Sequence, residues 1–147
     1  MNDHNGCKYT GIEKDYSIRD LAAFHGHLGP FIVLGYRMGR YAKRNLCADP
    51  FHMTAVVYCS GTPPESCMAD GIQIGSGCTL GKRNIDLIAS KEIRCIFTSG
   101  EKKLTLTPKP FKNLPEAPKG DHENPRLIER LAEEMYGMAD SELFEVQ

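Results

Sequence analysis

The sequence predicts an α+β fold, a single domain with a mainly antiparallel or mixed sheet packed with helices, and three observations carry that expectation. Apolar residues recur at helical spacing after Ser17, after Pro30 and after Pro125. Runs rich in β-branched residues occupy 53–60, 84–89, 92–99 and 102–107. The last three of these follow one another directly, an order that favours α+β over a doubly wound sheet with strict βαβ alternation. With 147 residues, 41% of them hydrophobic, the chain suffices for one core. Residues 1–16 read as an N-terminal segment and 17–147 as the core domain.

Each element has a local reason. Ser17 precedes Ile18, Leu21, Ala22 and Phe24, with Asp20 placed to complete a capping box, so 17–25 forms a short helix stopped by Gly26. Pro30 opens a second helix carrying Phe31, Leu34, Met38, Tyr41 and Ala42, and Arg40, Lys43 and Arg44 collect at its far end, where cations suit the helix dipole. Met53 to Ser60 is a buried strand ended by Gly61-Thr62-Pro63-Pro64. A third helix runs from Pro64 through Ile74, weakened by Gly71 and closed by Gly75-Ser76-Gly77, with Cys67, Asp70 and Ile74 on one face. Strands 92–99 and 102–107 join through a hairpin at Ser99-Gly100-Glu101. Pro115 to Glu123 is a polar surface loop, and Asn124 and Pro125 cap a final helix whose apolar face is Leu127, Ile128, Leu131, Met135 and Met138. Leu143 to Val146 adds an edge strand.

Charge and cysteine usage narrow the partners. Eighteen basic residues against 19 acidic ones give a net charge of -1, so no global field recruits nucleic acid or an anionic membrane. No run approaches the ~18 apolar residues that span a bilayer, and the first residues lack the basic-then-apolar order of a leader, so a cytoplasmic location is expected. Reduced thiols are therefore expected at Cys7, Cys47, Cys59, Cys67, Cys78 and Cys95. No Cys-x-x-Cys occurs, so any metal site must be assembled from distant segments.

Two segments carry the chemistry. His25 and His27 flank Gly26, whose backbone freedom lets both imidazoles turn to one point, where zinc, nickel, copper or iron suits them. A lone His-x-His equally suits one ring on a loop carbonyl and the other in water. Cys67 and Cys78 flank Asp70, Gln73, Ser76, Thr79, Lys82 and Asn84, with glycines at 75, 77 and 81 that let backbone fold closely around a ligand. The bland reading of any cysteine is a small core residue, applied here to Cys59, Cys95 and more weakly Cys47. GSGCTLGKRN is not a phosphate loop: Gly77 stands four residues before Gly81, and Arg83 follows Lys82 where Ser or Thr belongs. Leu80 likewise breaks the dinucleotide fingerprint.

The motifs F-H-G-H-L-G-P at 24–30, E-S-C-M-A-D-G-I-Q from 65 and G-C-T-L-G-K-R-N ending at 84 together resemble the FmdE family of formylmethanofuran dehydrogenase, over about Ile18 to Phe144. That resemblance implies an α+β core, a homodimer, and a metal site near His25, His27, Cys67, Asp70, Gln73, Cys78, Lys82 and Asn84. The metal ligands it suggests are His25, His27, Cys67 and Cys78, with Asp70, Gln73, Lys82 and Asn84 binding a ligand. The family motif usually reads His-Gly-His-x-Cys-Pro, and here Gly29 stands at the cysteine. Many relatives append a cysteine-rich zinc finger, whereas no cysteine follows Cys95, so the likeness is to the core domain.

Three functions follow. The first is a metal-binding accessory protein in one-carbon metabolism or in support of molybdenum or tungsten enzymes, holding zinc, or nickel or another divalent metal, and working with a metalloenzyme partner. The second is a zinc-dependent enzyme on a small anionic substrate, with Asp70 as base and Lys82 as anion holder. The third is an assembly subunit with a structural metal.

Overall fold

The computed structural model describes residues 6–111 and 125–147. Helix α1 spans Ile18–His25 and α2 Pro30–Asn45. Strand β1 is Thr54–Cys59, followed by a 3-10 turn at Glu65–Cys67 and helix α3, Met68–Ser76. Strands β2 (Ile85–Ala89), β3 (Arg94–Ser99) and β4 (Lys102–Pro108) come next. Helix α4 (Pro125–Gly137), the single turn α5 (Asp140–Leu143) and strand β5 (Phe144–Val146) complete the chain. The loop expected at Pro115–Glu123 and the cap at Asn124 lie outside the described residues.

The α+β expectation holds, with a five-stranded sheet in the order β2-β1-β3-β4-β5. β1 pairs β2 in parallel, Val57 beside Leu87, because α3 carries the chain back before β2 begins. The remaining pairs are antiparallel: β1 with β3, β3 with β4 across the Gly100 hairpin, and β4 with β5 at the edge. Alternation sends Ala55, Val57 and Cys59 of β1 to the same buried face as Cys95 and Phe97 of β3. Leu21, Ile32, Leu34, Met38, Met135 and Phe144 complete a core shared with that face.

Two local features aim the chain at the site. Ser17 accepts from the Asp20 amide at 3.1 Å while the Asp20 carboxylate accepts from the Ser17 amide at 2.9 Å, so the capping box fixes the start of α1. At its end Gly26 adopts φ 101°, a left-handed conformation that lets the chain reverse between His25 and His27.

Helices α2 and α3 pack backbone against backbone. A Cβ on Gly71 would overlap the Ile32 carbonyl, and one on Gly75 the Tyr36 carbonyl. From the other side, a Cβ on Gly35 would overlap the Met68 carbonyl, and one on Gly39 would sit 2.8 Å from the Ser76 nitrogen. Gly71 is thus a condition for α3 rather than merely a weakness in it, since two glycine pairs at i, i+4 let the helices approach more closely than side chains allow. This contact places Asp70 and Gln73 of α3 beside the loop that carries the histidines.

Candidate functional site

The site is built where the end of α1 meets α3. His25 Nδ1 lies 2.6 Å from Asp70 Oδ2, with the imidazole 11% exposed and the carboxylate 40% exposed. An ionised carboxylate only accepts, so against one Nδ1 carries the hydrogen, and in the neutral form of the ring Nε2 then keeps its lone pair. The His27 ring is exposed and stands 5.0 Å from the His25 ring, centroid to centroid. Gly29 starts α2 with φ −139° and ψ 167°, ordinary extended backbone. A Cβ there would point at the His27 ring, 3.3 Å from its Cε1 and 3.8 Å from its Nδ1. The sequence position at which the family pattern has sulfur therefore faces one of the two imidazoles.

The second motif supports the first. Gln73 Nε2 reaches Asp70 Oδ1 at 3.5 Å, and Gln73 Oε1 accepts from the Leu80 amide at 2.9 Å. One glutamine thus ties the carboxylate that orients His25 to the glycine-containing turn after α3. Asn84 holds that turn from the other end: its oxygen accepts from the Thr79 amide, and its nitrogen donates to the carbonyls of Pro50 and Met53. Every hydrogen-bonding group of the Asn84 amide is used in shaping the loop. Lys82 Nζ donates to Thr79 Oγ1 at 2.8 Å and stands 5.5 Å from the centroid of the Phe51 ring.

The cysteines are placed differently. Cys78 is fully buried in the core, its thiol 3.4 Å from the Met53 carbonyl and its amide donating to Ser76 Oγ. Burial raises its pKa, opposed by the Ser76 hydrogen bond and the Lys82 charge. Cys67 sits half-buried at the 3-10 turn before α3. Among the described residues no three His, Cys, Asp or Glu side chains are grouped so as to hold one metal ion. His25 and His27 therefore stand together with Asp70, while the thiol of Cys78 packs as a core group. Two imidazoles from one loop, one oriented by a carboxylate, are ligand types that suit a borderline divalent cation.

Asp70, expected as a ligand-binding residue or as the base of an enzyme, is the hydrogen-bond partner of His25. Arg40, Lys43 and Arg44 escape sequence reasoning as site residues because their position at a helix end already explains them. Their i, i+3 and i, i+4 spacing is the available signal that they share a face, and all three line one groove with Lys82.

A family model described as FmdE, Molybdenum formylmethanofuran dehydrogenase operon, matches residues 24–145 and so takes in both motifs. A protein of Archaeoglobus fulgidus named "Probable S-adenosyl-L-methionine-binding protein" is 36% identical over 69 residues, 42% of this chain. The match spans 18% of that protein's length.

Proposed function

The chain belongs to the FmdE family, and from that premise we propose that it is a metal-binding accessory protein related to formylmethanofuran dehydrogenase, its cation held by His25 and His27. The observation that carries this reading is the 2.6 Å pair between His25 Nδ1 and Asp70 Oδ2. A carboxylate on one ring nitrogen fixes the tautomer, orients the ring and makes the other nitrogen a better donor, as partners of metal-bound histidines do. His27, on the same short loop, supplies the second imidazole.

Zinc is the first choice of cation, with nickel or another divalent metal behind it, because imidazole suits them. When bound, the cation supplies a Lewis acid on an exposed loop. This chain's residues orient His25 through Asp70 and brace Asp70 through Gln73, leaving the remaining positions to water, a small anionic ligand or a group from a metalloenzyme partner. The reading includes a homodimer. Leu87 and Ile88, 40% and 45% exposed on β2, at an edge of the sheet among the described residues, support it.

The test is the double variant His25→Ala/His27→Ala, loaded with zinc, dialysed and analysed for metal. Loss of the metal with a near-native far-UV circular dichroism spectrum is the expected result, and full metal content in the variant defeats the assignment.

The name of the Archaeoglobus relative favours a second reading, binding of S-adenosyl-L-methionine. Equilibrium dialysis with the labelled compound checks it, and absence of retention at millimolar ligand rejects it.

A further inference from the structure

A groove of about 1130 Å³ lies between the N-terminal segment, α1, α2 and the turn that follows α3. Five cations line it, Lys14, Arg40, Lys43, Arg44 and Lys82, against three acids, Glu13, Asp15 and Asp20, so its walls carry a formal charge of +2. Two of the acids are paired within the groove. Asp15 takes both Arg40 and Arg44, at 3.1 and 3.6 Å, and Asp20 takes Lys14 at 3.6 Å. Among the described residues, neither Lys43 nor Lys82 has a carboxylate partner.

Lys82 is the more telling of the two. Its side chain is half-buried, yet among the described residues the ammonium meets only the Thr79 hydroxyl and the Phe51 ring. A partly desolvated ammonium without a counter-ion gains more from an anion than one in open water, because the local dielectric is lower. Gln73 forms part of the same wall, and it is also the residue that braces Asp70 at the histidine site. Phe24, 59% exposed, offers the groove an apolar surface.

We propose that this groove binds a small molecule bearing a phosphate or carboxylate group, with the anion at Lys82 and Lys43 and its less polar part against Phe24. The site adjoins the histidine loop through Gln73 but uses different residues, so it stands independently of metal binding.

The probes are inorganic pyrophosphate and citrate, titrated by calorimetry into the full chain at low and at moderate salt. Lys43→Gln/Lys82→Gln is compared with Lys91→Gln/Lys102→Gln, which removes the same charge from exposed positions elsewhere. One of the probes is expected to bind at one site per chain, at least tenfold more weakly in the groove variant and within twofold of the parent in the control. The probe that binds more tightly identifies the headgroup class. Equal weakening in both variants, or no binding of either probe to the parent chain, overturns the proposal. Lys43→Gln alone keeps the test decisive if the loop around Lys82 loosens: it should weaken binding threefold or more, and an unchanged affinity there also overturns it. Zinc affinity in the groove variant should equal that of the parent, which separates failure here from failure of the metal reading.

Discussion

His25 and Asp70, 45 residues apart in the chain, meet at 2.6 Å, and this contact joins the loop after α1 to the first turn of α3. It makes one site of two motifs that are separate in sequence. Asp70→Asn keeps the size and an acceptor but removes the charge that strengthens the His25 donor. Zinc affinity should fall by about 10- to 100-fold, the usual cost of losing such a supporting partner. Competition against a chelator at fixed pH measures it, and an affinity equal to the parent's would place the cation away from His25.

The glycine contact between α2 and α3 gives a stability prediction with an internal control. A methyl on Gly71 would overlap the Ile32 carbonyl, which is backbone and cannot rotate aside, whereas one on Gly81 would meet nothing within 4 Å. Gly71→Ala should therefore destabilise the protein by about 3 kcal/mol or more, at the upper end of overpacking costs. Gly81→Ala should be close to neutral. Urea denaturation monitored by circular dichroism compares them, and equal midpoints would mean that the helices can part without cost.

Much of this architecture is legible in the chain because local rules and tertiary packing agree there. Ser17 and Asp20 form the capping box they spell, Gly26 ends α1, and Gly100 turns the hairpin between β3 and β4. The edge strand expected at Leu143 to Val146 is β5, although the single turn α5 just before it carries no periodicity that would reveal it. Gly71 misleads for a definite reason. Helix propensity counts a glycine as a loss, and the compensating gain exists only against the Ile32, Gly35 and Tyr36 backbone on another helix. Cys78 illustrates the same limit: its neighbours in sequence are polar, and its neighbours in space are the core. Sequence order also hides the parallel pairing of β1 and β2, since β2 leads into a run of antiparallel strands.

The buried thiols set a stability limit on the alkaline side. Burial raises the pKa of Cys95 well above the ordinary thiol value, and that of Cys78 as well. A group whose folded pKa is raised contributes stability that is fully present below its unfolded pKa, about 8.5 for a thiol, and lost as pH rises toward its folded value. The protein should thus lose stability above about pH 8.5, as unfolded thiols ionise and folded ones do not. Cys95→Ala should flatten that decline while costing some stability at neutral pH through the lost packing. Urea midpoints from neutral to alkaline pH test this, and identical slopes for parent and variant would mean that Cys95 is not the group responsible.

Gly29 offers the sharpest test of the histidine loop. Its φ of −139° is open to any L residue, and a Cβ there would lie 3.3 Å from His27 Cε1 and 3.9 Å from Ile128 Cγ2. Because His27 is exposed, its ring can yield the few tenths of an ångström that the substitution requires. Gly29→Cys should therefore set a thiol beside the His27 imidazole, restoring the sulfur of the family motif. Zinc affinity is expected to rise by about tenfold or more, since thiolate is a stronger zinc ligand than the water it would replace. The gain should grow with pH, because a thiol must release its proton to bind, whereas Gly29→Ser should show neither the gain nor its pH dependence. Chelator competition at two pH values, with both variants and the parent, measures these differences. Equal affinities for the cysteine and serine variants would mean that a sulfur at this position does not reach the cation.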